Sequence, residues 1–148
     1  MQNHDIRVLN DLIETTIDSA HGYAEAAKDT ASNRFGLTFQ ERANERRQVA
    51  ARLQRHVQAL GGTPEDDGSV LASAHRMFTN LRRKLGDDVA VVDEVERGED
   101  HIKHRFEDAL EDADVTPPTR ELIAEAYRSV KSGHDQMRDL KRAVHRTH

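Results

Sequence analysis

Residues Val91 to Phe106 read VVDEVERGEDHIKHRF. Apolar residues fall at Val92, Val95, Ile102 and Phe106, and the same steps of three and four continue to Ala109 and Ala113. That is the period of one face of an α-helix; a half-buried strand would alternate instead. One position on the stripe breaks it. Glu99 stands where an apolar residue belongs, with Gly98 beside it and Glu96 and Asp100 flanking it. Glycine inside a helix costs about 1 kcal/mol relative to alanine, and clustered acids repel one another. The stretch is therefore either a plain solvated face, or it turns Glu99 inward against something that neutralises it.

The rest of the chain repeats the helical period. A segment at about 5–31 carries Ile6, Leu9, Ile13, Ile17, Ala20, Ala24 and Ala27 on one stripe. A second, at about 35–61, carries Phe39, Ala43, Ala50, Leu53, Val57 and Leu60 and stops at Gly61-Gly62. The loop GGTPEDDGS leads to a short segment at about 70–85 ending at Gly86, and Asp67 or Ser69 can cap that segment. The stretch Val91 to Phe106 belongs to a segment at about 88–113. DVTPPTRE breaks the chain, with Thr119 a candidate cap, and a last segment at about 119–145 carries Ile123, Ala126, Val130, Met137, Leu140 and Val144.

Four of these segments are long and one is short. The short turns at either end make two antiparallel hairpins. A nine-residue loop alone does not run back along a helix of ~25 residues, or ~38 Å at 1.5 Å per residue. Loop plus short segment does. The expected architecture is all-α: a single domain over 1–148, a four-helix bundle of up-down-down-up order, with a short crossover helix between the second and third long helices.

Composition fits that class. The 148 residues are 36% hydrophobic and 33% charged, with eight glycines, three prolines and a net charge of −5. Lys and Arg are interspersed with acids, as in ERANERRQ, which argues against nucleic acid as a partner. Without cysteine there is no disulfide or thiolate ligand, so a metal must be held by histidine and carboxylates, donors that suit iron, manganese or zinc. The N-terminus MQNHDIRVLNDL lacks a signal-peptide apolar core, and no run approaches a membrane span; a cytoplasmic protein is expected. Phosphate loops and nucleophile elbows are missing, and no catalytic or cofactor-binding residue is assigned.

Three other helices offer polar partners for Glu99. Arg46 interrupts the stripe of the second segment, His134 lies at the edge of the last between Val130 and Met137, and His21 lies near Ile17 and Ala24 in the first. The four are expected at similar depth in the bundle, as one polar layer. A buried carboxylate needs a cation, donors or a proton. One reading is a structural layer of Arg46, Glu99, His134 and His21, built on an Arg46–Glu99 pair that contributes specificity more than stability. The other is a metal site with Glu99, His134, Glu45, Glu96 and His21 as candidate ligands for iron or manganese. Di-iron bundles use Glu-x-x-His pairs on two helices, and this chain has only Lys131-x-x-His134 and Glu45-x-x-Gln48 in those places. His101 and His104, three apart, have the spacing to chelate a metal on the surface, but read rather as a solvated face.

LNDLIETTIDSAHGYAEAA, GGTPEDDGSV, HRMFTNL, ERGED and GHDQMRDL occur in that order. Together they resemble a family of uncharacterised bacterial ferritin-like four-helix bundles, catalogued as a domain of unknown function. The resemblance implies a ferritin-like bundle over nearly the whole chain and no established activity. Phe78 stands where relatives commonly carry tryptophan. The expected function is a non-catalytic, stress-associated bundle acting through self-association or a protein partner. The alternative is a metalloprotein that performs redox chemistry or sequestration with iron or manganese.

Overall fold

The computed structural model describes residues 2–30, 33–67 and 88–147. They form helices α1 (Gln2–Asp29), α2 (Asn33–Ala59), α3 (Asp88–Glu111) and α4 (Pro117–Thr147), with no strand among the described residues. The expected crossover helix at 70–85, with His75 and Phe78, lies outside them. Among the described residues, no helix is long and apolar enough to cross a membrane.

The helix ends follow from local chemistry. α2 stops in a Schellman motif: Gly61 takes φ +84°, Gly62 N–H donates to Val57 O at 2.9 Å, and Gly61 N–H donates to Gln58 O at 3.0 Å. The loop beyond it is held against α1 by Asn10. Its amide donates to Thr63 O at 3.1 Å and its carbonyl accepts from Glu65 N–H at 2.9 Å. The cap of α4 is Thr116, not Thr119. Arg120 N–H donates to Thr116 O at 2.9 Å, and Pro117 takes the first helical position, where a missing N–H costs nothing. Thr119 is instead buried inside the first turn, 3.0 Å from His56 Nε2. α3 ends at Glu111, so Ala113, expected on its stripe, lies exposed in the turn.

Contacts between residues set the packing. α1 and α2 form one hairpin and α3 and α4 the other, with α1 also against α3 and α2 against α4. His4 near the start of α1 meets Asp112 just past α3 at 2.8 Å, while Tyr23 near the end of α1 meets Glu99 at 2.6 Å. α1 and α3 therefore run antiparallel. Arg42–Gln136 and His56–Thr119 make α2 and α4 antiparallel in the same way.

The apolar interior falls into two clusters. One gathers Leu9, Leu12, Ile13, Val49, Leu53, Ile102, Phe106, Ile123 and Val130. The other gathers Tyr23, Ala26, Phe39, Ala43, Val91, Val92, Met137 and Val144. Each fully buried Leu, Ile or Phe contributes ~1.5–3 kcal/mol. On α2 the clusters are separated by Arg46, on α3 by Glu99 and on α4 by Gly133, so a polar layer divides the core.

Candidate functional site: a buried arginine–glutamate–tyrosine layer

Arg46 and Glu99 are the two charged side chains among the largest fully buried ones, at 0% and 1% exposure. Arg46 Nη2 donates to Glu99 Oε2 at 2.9 Å, and Tyr23 Oη donates to Glu99 Oε1 at 2.6 Å. Both carboxylate oxygens thus hold a short bond. The guanidinium also donates through Nε to Glu45 Oε2 at 3.0 Å, through Nη1 to Ser19 Oγ at 3.0 Å, and through Nη2 to Val130 O at 3.5 Å. Its Cζ lies 5.6 Å from the centroid of the Tyr23 ring, within cation–π range. Phe39 packs against the same tyrosine, ring centroids 6.1 Å apart.

The layer has room for a guanidinium because α4 supplies no side chain there. Gly133 is buried, and a Cβ built on it strikes Arg46 Nη2 and comes within 3.3 Å of Glu99 Oε2. The charges are mutually supporting. Burial alone would lower the Arg46 pKa, but the Glu99 carboxylate, with Tyr23 and Glu45, more than reverses this and raises it. Burial first, and then the Glu99 charge, push the Tyr23 phenol well above its ordinary range. The arginine is permanently cationic, and the tyrosine keeps its proton.

Three of the residues expected here sit elsewhere. His21 is exposed; it lies one residue, about 100°, round the helix from buried Ala20. The α1 residue that reaches Glu99 is Tyr23, which the apolar stripe expected for that helix does not include. His134 is mostly buried, but on the outer seam of α3 and α4, its Nε2 2.6 Å from Asp100 Oδ1 and its Nδ1 3.5 Å from Asp135 Oδ1. Glu96 lies on that seam too, 3.4 Å from Lys141 Nζ. Glu45 stays at the rim of the layer, between Arg42 at 3.4 Å and Arg46. The sequence-derived ligand set is therefore split: Glu99 and Glu45 on Arg46, Glu96 and His134 outside, His21 apart from both. His101 and His104 are exposed, as a solvated face requires.

A bundle of long helices with a buried arginine–glutamate pair in its core, capped by a tyrosine, is the class that fold and layer define. Residues 4–112 match the model of the family described as Domain of unknown function (DUF2383), and the chain belongs to that family. The matched segment carries α1, α2 and α3, so Tyr23, Arg46 and Glu99 lie inside it and Gly133 beyond it. No curated protein matches the chain.

Proposed function

We propose that the chain is a ferritin-like bundle of up-down-down-up order whose polar layer is structural, and that it works without catalysis. The end-to-end contacts support that order. α1 starts beside the end of α2, through Ile6 and Gly62, and beside the end of α3, through His4 and Asp112. Joining α2 to α3 then takes the chain from one end of the bundle to the other, a span that the crossover segment is long enough to cover.

The observation that carries the structural reading is the position of the Arg46 guanidinium. It bonds Glu99, Glu45 and Ser19 in the place where a di-metal bundle concentrates positive charge. A cation added there would meet a fixed positive charge at 2.9 Å from the Glu99 carboxylate it would need. The residues of the layer do not fit an iron or manganese pair. The bundle then acts through its surface, in self-association or with a protein partner in the cytoplasm.

Ferrous iron added in air to the untagged full chain tests this. Iron oxidation at the buffer rate, unchanged by Glu99→Gln, is expected. Oxidation above that rate and abolished by Glu99→Gln would overturn the reading. Sedimentation velocity tests self-association, against the 16.8 kDa of one chain.

A further inference from the structure

The seam between α3 and α4 carries a second, separate constellation. Glu96 and Asp100 are one turn apart on the flank of α3, and His134 of α4 faces them. One ligand atom from each, a carboxylate oxygen from Glu96 and from Asp100 and a ring nitrogen from His134, lie within 4.8 Å of one another. His134 Nε2 stands 2.6 Å from Asp100 Oδ1, and its side chain is only 13% exposed. We propose that Glu96, Asp100 and His134 form a zinc site on this outer seam, distinct from the core layer and independent of how that layer is read.

The donor set is one imidazole nitrogen and two carboxylate oxygens, which a zinc ion accepts with a fourth position left for water. At bond lengths of ~2.0–2.2 Å, tetrahedral ligands stand ~3.4 Å apart. The His134–Asp100 separation must open from 2.6 Å, and no pair of ligand atoms starts more than 4.8 Å apart. Asp100, 49% exposed, is free to make that adjustment. Metal-bound histidines commonly turn their second ring nitrogen to a carboxylate, which fixes the ring and its tautomer. Asp135 Oδ1 is in that position, 3.5 Å from Nδ1, and Asp135 is itself held by Lys131 at 2.9 Å and Arg138 at 3.6 Å.

The two ligand carboxylates carry a charge that one divalent ion cancels. Lys141 already pairs with the site, 3.4 Å from Glu96 Oε2. Its side chain, an ammonium on a four-carbon stem, is 40% exposed, so it can swing into water when a metal arrives.

Calorimetric titration of zinc chloride into the untagged, chelator-free full chain tests the site, with cobalt(II) absorption as a second readout. One zinc per chain is expected, with His134→Ala and Asp100→Asn each weakening the affinity about tenfold or more. His145→Ala, which removes a partner of Asp93 on the same helix pair, should leave it unchanged. Circular dichroism checks the fold; should His134→Ala unfold, Asp100→Asn at a half-exposed position decides. No zinc binding, or binding indifferent to Asp100→Asn, overturns the proposal. So does binding abolished by His4→Ala, which would place the ion at His4, Asp112 and Asp114 at the end of the bundle.

Discussion

Gly133 on α4 lies directly against the guanidinium of Arg46 on α2, the smallest residue facing the largest fully buried one. The pair is complementary in volume, and it sets what each can be changed to. Gly133→Ala adds a methyl where Arg46 Nη2 already sits. A guanidinium end normally yields, but this one is fixed by Glu99, Glu45 and Ser19 and sealed from water. Overpacking should cost ~1–3 kcal/mol and outweigh the ~1 kcal/mol of helix propensity that alanine gains over glycine. With Arg46→Met and Glu99→Leu in place, neither charged group stands against the methyl, and the same substitution should cost less or stabilise. Urea unfolding of Gly133→Ala in the parent and in that double variant reads the difference.

Removing one charge of the pair is expected to be severe. Arg46→Ala leaves Glu99 buried with Tyr23 as its remaining donor. Breaking a buried pair costs ~3–5 kcal/mol, which lowers the melting temperature of a chain of this size by about 10 °C or more. Replacing both, as Arg46→Met with Glu99→Leu, exchanges two desolvated charges for apolar volume. With Tyr23→Phe added, so that no buried hydroxyl is left without its acceptor, the variant should fall within about 1 kcal/mol of the parent, or exceed it. A double-mutant cycle by thermal denaturation gives the coupling directly. A near-zero coupling would count against the layer as a structural unit.

The two tyrosines should titrate apart from each other and from the free amino acid. Tyr127 is pushed up to about 12, by burial first and then by its bond to Glu107 Oε2 at 2.7 Å. Tyr23 lies well above its ordinary range, through burial and the Glu99 charge. For an acid whose folded pKa is raised, the native state holds the proton more tightly than the unfolded chain. Stability is then complete below the unfolded value near 10 and declines as pH rises beyond it. Absorbance at the tyrosinate band should stay flat through pH 10 and rise only near Tyr127's own titration or with unfolding. Tyr23→Phe should remove part of the alkaline loss. It should also cost ~1–3 kcal/mol at neutral pH, by leaving Glu99 Oε1 without its donor.

Most of the bundle is legible in the sequence because helical period is a strong signal. The four long helices fall within a few residues of their expected bounds. The polar layer is legible in part. Arg46 and Glu99 interrupt regular stripes, and each interruption marks an inward charge. On α1, two stripes satisfy steps of three and four. The one through Leu9, Ile13, Thr16, Ala20 and Tyr23 is buried, whereas the expected one passes through Ile17 and Ala24. An aromatic with a polar tip is the signal that could choose between them. On α4, the stripe from Val130 to Met137 steps through Gly133, not His134. A missing side chain on a core stripe is harder to read than a charge, because it matters only once the opposing helix is known. Thr119 is mistaken for a cap because two prolines separate it from Thr116, and proline suits the first turn as well as the break before it.

The end of the bundle near α4's start should govern acid stability. Asp5 of α1 is buried. Its Oδ1 accepts Thr116 N–H at 3.0 Å and its Oδ2 accepts the Thr116 hydroxyl at 2.5 Å. Burial would raise its pKa, but the Thr116 hydroxyl and N–H, with Thr119, outweigh this and hold it below the ordinary aspartate value. A carboxylate with a depressed folded pKa contributes stability that is present above the unfolded value, near 3.9, and lost as pH falls through the folded one. Asp112, lowered by Asp114 N–H and His4, adds to the same slope. Glu14 works the other way. Burial and the charges of Asp18, Glu65 and Asp11 raise it, so its ionisation detracts from stability once pH exceeds its unfolded value. Thermal unfolding from pH 2 to 7 should therefore show a steep loss below about pH 4 that Asp5→Asn flattens. Glu14→Gln should raise the melting temperature at pH 7 and leave the acid limb in place. If Asp5→Asn kept the full acid slope, the cap that α1 provides for α4 would be too weak to hold that end together.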